Sequence, residues 1–154
     1  MLLNDEVQLL RKVPFFERVD PCKLKLLAFA SQRVSYSRGD LVFEQGDGGD
    51  AAYIIIEGQV DLISHSPAGD IKIGEASCNS IIGEMALLCD GPRTSSARAA
   101  TDVEVLRISK DCLSKVMANN PRVSVEISRA LAERLRVATS ELDSNRIRQA
   151  VFAE

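Results

Sequence analysis

The chain has no tryptophan, a single histidine, and aromatics at only 5% of its 154 residues. One histidine cannot build a His-rich metal cage and leaves little for His-based nucleophilic catalysis. Its setting, Ser64-His65-Ser66-Pro67, reads as a strand end running into a turn, with His65 a solvated loop residue. The four cysteines, Cys22, Cys78, Cys89 and Cys112, are scattered with no C-x-x-C pair. Reduced structural thiols are therefore expected, rather than disulfides or a metal site. There is no excess of basic residues: the net charge is −3, so no broad positive field would hold a nucleic-acid backbone, although a local positive pocket stays open. The longest strictly apolar run, Ala51 to Ile56, falls far short of the roughly 20 residues a membrane helix needs. Met1 to Asn4 leads straight into charged residues, which reads as no secretory signal. The expectation is a cytoplasmic protein that binds neither membrane nor nucleic acid and carries no metal or other cofactor.

What is present fits one domain spanning 1–154. Hydrophobic residues make up 45% and charged ones 27%, ordinary for a chain that folds around its own core. Three textures follow one another. From about residue 2 to 32 the spacing is helical: Val7, Leu10 and Val13 follow one another at three-residue steps, Pro14 interrupts, and Leu24, Leu27, Ala28 and Ala30 resume. Asp20 suits a helix N-cap and Pro21 the first helical position. From about 33 to 108, short Val-, Ile- and Tyr-rich stretches alternate with Gly, Asp, Asn and Pro, the mark of an all-β sandwich or roll. The clearest strands are Leu41-Val42-Phe43, Tyr53-Ile54-Ile55-Ile56, Val60-Asp61-Leu62-Ile63, Ile71-Lys72-Ile73 and Val103-Glu104-Val105-Leu106. Helical spacing returns at about 110–145, with Ser109 or Asp111 as cap for a first helix and Pro121 opening a longer one to about Asp143.

One segment, Ile81-Ile82-Gly83-Glu84-Met85-Ala86-Leu87-Leu88-Cys89-Asp90-Gly91-Pro92-Arg93-Thr94-Ser95-Ser96, interrupts the β texture with helix formers placed directly after a glycine. A glycine opening a helical turn leaves unpaired N–H groups at the positive end of the peptide dipoles, which favours an anion. Arg93 supplies a guanidinium suited to bidentate phosphate contact, and Thr94, Ser95 and Ser96 add hydroxyls. A carboxylate beside a phosphate site would repel it, so Glu84 makes sense only if the ligand also offers hydroxyl donors, as a ribose does. An acid for sugar, a cation for phosphate and hydroxyls for placement describe a nucleotide pocket. Taken singly, each feature reads more readily as a turn or a solvated surface charge. The nine-residue spacing of Glu84 and Arg93 within a β-roll is what favours the pocket.

Gly83-Glu84-Met85-Ala86-Leu87-Leu88 followed by Pro92-Arg93-Thr94 resembles the phosphate-binding cassette of the cyclic nucleotide-binding domains found in catabolite activators, protein kinase A regulatory regions and cyclic nucleotide-gated channels. Val13-Pro14-Phe15-Phe16, Gly39-Asp40, Gly46-Asp47, Tyr53 and Glu57-Gly58-Gln59-Val60 resemble that family elsewhere along the chain. Ile82 departs from it, standing where the family most often has an aromatic, and Ser95-Ser96 replaces its commoner Ala-Thr or Ala-Ser. The resemblance implies an α+β, mainly β fold: an eight-stranded antiparallel, jelly-roll-like β-roll with N-terminal helices, a short cassette helix within about 82–96, and C-terminal helices. It implies a regulatory sensor, not an enzyme, whose ligand is cAMP or cGMP. Glu84 would accept a hydrogen bond from the ribose 2′-hydroxyl and Arg93 would pair with the cyclic phosphate. Backbone N–H groups around Gly83, Met85 and Ala86, and after the arginine at Thr94 and Ser95, would complete the phosphate contacts. Thr94 stands where a hydroxyl permits cGMP without excluding cAMP.

The resemblance also implies that the last helix lies over the pocket and moves on binding. Arg134 would lie near the cassette glutamate and the base, while Thr139 stands at a hydroxyl position that reads adenine in the catabolite-activator branch, with Ala138 at the other. Thr139 reads equally well as a solvated helix residue. Leu131, Leu135, Ala138 and Leu142 have heptad-like spacing, consistent with a homodimer seam or with packing on the chain's own β-roll. Arg134, Arg136, Arg146 and Arg148 read as a solvated face. The effector is unknown, and a stand-alone sensor and one domain of a larger protein both remain open. Two alternatives accompany the sensor: a degenerate domain serving only as a protein-interaction scaffold, and a cupin-like metal enzyme.

Overall fold

The computed structural model describes residues 3–152. Helix α1, Leu3–Arg11, turns Val7 and Leu10 inward, and a 3-10 turn at Pro14–Phe16 follows. There Phe15 and Phe16 are buried with their rings edge to face, centroids 4.9 Å apart. Asp20 caps α2, Pro21–Ala30, by accepting from the Cys22 N–H, and the proline takes the first helical position, where its missing N–H costs nothing. Leu24, Leu27 and Ala28 are buried as expected from their spacing, but Ala30 is exposed.

Eight antiparallel strands follow: β1 Gln32–Tyr36, β2 Leu41–Phe43, β3 Ala51–Glu57, β4 Val60–Ser66, β5 Gly69–Ala76, β6 Ile81–Ile82, β7 Ser96–Ala99 and β8 Val103–Ser109. They form two four-stranded sheets in the orders β1-β8-β3-β6 and β2-β7-β4-β5. Ser109 caps α3, Lys110–Asn119, through the Cys112 N–H, and Pro121 opens α4, Pro121–Phe152.

The central strands of the first sheet, β3 and β8, are buried on both faces. Ala52, Ile54, Leu106 and Ile108 meet the helices, while Ala51, Tyr53, Ile55, Val103 and Val105 meet the second sheet. Burial on both faces is why Ala51 to Ile56 reads as an unbroken apolar run instead of alternating. The second sheet contributes Val42, Val60, Ala97 and Ala99 to the core between the sheets and leaves its other face largely polar.

Several boundaries differ from the sequence reading. β1 and β7 carry weak β signals and form because β8, and β2 with β4, supply their hydrogen-bonding partners. β5 exposes both Ile71 and Ile73, since it is a sheet edge with no layer packed over it. His65 is a residue of β4, paired in register with Asp70 of β5, and not a loop residue. The last helix continues to Phe152, well past Asp143, because neither proline nor glycine interrupts it after Pro121.

Candidate functional site

The cassette starts from β6, whose Ile82 pairs with Tyr53. Gly83 then adopts a left-handed backbone (φ 71°) and starts a 3-10 turn over Glu84–Leu87. The left-handed conformation favours glycine, and so does space: a Cβ on Gly83 would lie 2.4 Å from Arg93 Nη1. Leu87 is buried among the helices and anchors the turn. The expected cassette helix is thus a single 3-10 turn, too short for a substantial dipole. The Ala86 N–H donates to the Gly83 carbonyl at 3.1 Å, so it is engaged within the turn.

Arg93 is 7% exposed. Its main chain is held on both sides: its N–H donates to the Asp47 carbonyl at 2.7 Å, and its carbonyl accepts from the Gly46 N–H at 2.9 Å. The guanidinium donates from Nη2 to the Ala51 carbonyl at 2.7 Å and, weakly, from Nη1 to Gly83 at 3.4 Å. It lies 4.2 Å from the centroid of Phe43 and 5.9 Å from that of Tyr53, a cation over aromatic faces. Its Nε is buried without a hydrogen-bond partner. Among the described residues no carboxylate pairs with it.

A cavity of about 460 Å³ opens here, lined by Gly83, Glu84, Met85, Ala86, Arg93, Thr94 and Ser95 together with Phe43, Gly49, Leu62, Ile81 and Cys89. That volume suits a small-molecule ligand. The cassette beyond the turn is tied outward by ion pairs. Lys110 at the start of α3 holds Asp90, whose carboxyl is pulled below the usual aspartate range by the ammonium's hydrogen bond, and Arg107 reaches Asp50 at 3.4 Å. Asp90 lines the cavity with its charge paired to Lys110, whereas Asp50, paired with Arg107, does not line it.

A model of the cyclic nucleotide-binding domain matches residues 33–120. The chain belongs to that family. A CRP-like cAMP-activated global transcriptional regulator of Mycobacterium tuberculosis is 33% identical over 136 residues, covering 88% of this chain and 61% of the regulator. The cyclic AMP receptor protein of Thermus thermophilus is 33% identical over 84% of this chain and 61% of its own. The chain therefore spans about three fifths of the length of these relatives. The N-terminal domain of a Streptomyces coelicolor transcriptional regulator superposes with a TM-score of 0.79 at 33% identity, over 86% of this chain and 95% of that one.

The cyclic nucleotide-binding domain brings together most of the residues singled out in its sequence. Met85 lines the cavity although its side chain is 67% exposed. Arg134 of α4 reaches the cassette, with Nη2 3.5 Å from Glu84 Oε1 in a half-exposed pair of the kind worth little by itself. Thr139 is not brought to the site. It sits on an exposed turn of α4 and does not line the cavity. Phe43, Gly49 and Leu62 are site residues that the sequence reading missed. Gly46-Asp47-Gly48-Gly49-Asp50 reads only as a turn, yet a Cβ on Gly49 would lie 2.7 Å from Ala86 Cβ and 3.5 Å from Arg93 Cζ. Among the described residues no group of three or more His, Cys, Asp or Glu side chains is placed to hold a metal ion.

Proposed function

We propose that this domain binds a purine 3′,5′-cyclic mononucleotide, cAMP or cGMP, as a regulatory sensor and performs no catalysis of its own. Arg93 carries the reading. A buried guanidinium without a counter-ion is expensive, and an orphaned buried donor adds to the cost, so the site is one that an anion completes. The cyclic phosphate takes the free Nε and the weakly engaged Nη1, with Thr94, Ser95 and the Gly83 turn beside it. Glu84, 24% exposed and held among the described residues only by Arg134, can accept from the ribose 2′-hydroxyl, and Leu62, Ile81 and Met85 offer apolar surface to the purine. Charge-assisted bonds contribute about 1.5–3 kcal/mol each, so a few of them with purine burial support micromolar affinity. That the 33% identical relatives are a cAMP-activated regulator and a cyclic AMP receptor protein favours cAMP as the first ligand to test.

The Glu84–Arg134 contact is the link from cassette to α4, and nucleotide would act by favouring one placement of that helix. Leu135, Val137, Leu142, Ile147 and Val151 of α4 are exposed, which supports a homodimer through this helix ahead of packing on the chain's own β-roll. The effector is a further domain or a separate protein in the cytoplasm. No membrane or nucleic acid is proposed as a ligand of these residues, and no helix among the described residues is long and apolar enough to cross a membrane.

The deciding experiment is a thermal-shift screen with cAMP, cGMP and 5′-AMP. A ligand at 100 times its Kd that binds only the folded state adds about 2.7 kcal/mol, which at this size moves Tm by about 5–10 °C. A cyclic nucleotide should produce that shift and 5′-AMP should not. No shift with either cyclic nucleotide at millimolar concentration would leave the scaffold reading in its place.

A further inference from the structure

Four polar side chains meet just outside the cavity, and nothing in the ligand-binding reading uses them. His65 Nδ1 lies 2.5 Å from Asp70 Oδ1, and His65 Nε2 lies 2.9 Å from Ser96 Oγ. Ser96 Oγ accepts from the Gln45 N–H at 2.8 Å, and the Gln45 side-chain oxygen accepts from the His65 N–H at 2.8 Å. An ionised carboxylate can only accept, so Nδ1 carries a proton toward Asp70. In the neutral ring Nε2 is then an acceptor, and the Ser96 hydroxyl donates to it while keeping a lone pair for Gln45. The bonds form one connected chain, Asp70–His65–Ser96–Gln45, closed by the Gln45 side chain on the His65 N–H.

The contact order Asp70–His65–Ser96 resembles an acid–base–nucleophile relay, but Ser96 is fully buried and cannot meet a substrate. The cluster's position suggests a different task. Gln45 directly precedes Gly46 and Asp47, the two residues whose main chain bonds both sides of Arg93, and Ser96 follows Arg93 by three residues. The same 44–50 stretch carries Gly49 against the guanidinium. We infer that His65, oriented by Asp70, is a positioning residue for the anion site: it locks Ser96 and Gln45, and through them the peptide groups that hold Arg93 in place. This rests on the nucleotide-binding reading of Arg93. His65 does not line the cavity, so its effect on ligand is exerted through those peptide groups.

The test uses the full chain and its His65→Ala, His65→Gln and Ser96→Ala variants, with two readouts. The first is amide hydrogen exchange at Gln45, Gly46 and Arg93 without nucleotide. The second is affinity for cAMP and cGMP by titration calorimetry. In His65→Ala and Ser96→Ala the three amides should exchange faster and affinity should fall about tenfold, the scale expected when a buried partner is left unsatisfied. His65 is 38% exposed, so the fold should survive its replacement. His65→Gln keeps an amide that can reach Ser96 and should recover part of the affinity. Unchanged exchange, faster exchange at parental affinity, or a glutamine no better than alanine would each overturn the inference. If the parent bound neither nucleotide, the sensor reading would fall while the exchange data still decided whether His65 locks the Arg93 segment.

Discussion

Replacing Arg93 by alanine separates the ligand's need for the guanidinium from the fold's. In the ligand-free domain the substitution removes one charge-assisted hydrogen bond to the Ala51 carbonyl, about 1.5–3 kcal/mol, a weak one to Gly83, and a cation over Phe43, about 0.5–2 kcal/mol. Against this it removes a buried cation that has no counter-ion among the described residues and an unpartnered Nε, whose burial costs several kcal/mol. The terms oppose and are of similar size, so Tm should move by only a few degrees. The bound state has no such compensation. Nε is unpaired and Nη1 is only weakly engaged at 3.4 Å, leaving two donors for the phosphate. Two charge-assisted bonds at about 1.5–3 kcal/mol each sum to about 3–6 kcal/mol, or a loss of about 10²- to 10⁴-fold in affinity. Arg93→Lys keeps the charge but not the planar fork, and should fall between parent and alanine. Calorimetry with cAMP and cGMP on the three proteins is the assay. An alanine variant that folds and binds within tenfold of the parent would show that Arg93 does not hold the phosphate.

Gly58→Ala should destabilise the fold without touching the cavity, since φ is +96° and the new Cβ would lie 2.3 Å from the Asp102 carbonyl oxygen; strain of at least about 1–3 kcal/mol should lower Tm by several degrees in calorimetric scans. Lys110 lowers the Asp90 pKa in the folded state, so this pair's stabilisation is present above the ordinary aspartate pKa and is lost as pH falls through the lowered value. A Lys110→Met variant should return Asp90 to the ordinary range when its carboxyl is titrated by NMR. Cys22, Cys78 and Cys89 are free and exposed, whereas burial raises the Cys112 thiol's pKa. Mass-spectrometric counting should find three rapid iodoacetamide adducts on the folded protein and Cys112 reacting slowly, faster as pH rises.

The cassette was legible because its chemistry is local. Gly83, Glu84, Arg93 and Thr94 lie within a dozen residues, and a left-handed glycine followed by one helical turn is a choice the chain makes from its nearest neighbours. Caps were legible for the same reason: Asp20 and Ser109 satisfy N–H groups two or three residues away. His65 was misread as a loop residue because Ser66-Pro67 looks like a turn, whereas its partners Gln45 and Ser96 are 20 and 31 residues distant.

By itself, then, the order of residues determined the helix–β-roll–helix sequence, the cassette and its two charged groups, since hydrophobic period, capping and turn formation are settled over spans of a few residues. Tertiary structure alone decided that Phe43, Gly49 and Leu62 line the cavity and that Arg134 but not Thr139 reaches the site. It also decided that Arg93 is a buried cation with an unpaired nitrogen. Those outcomes depend on strand pairing and helix placement across about 20 to 50 residues, where the free energy of a contact belongs to the assembled layers and leaves no local pattern in the chain.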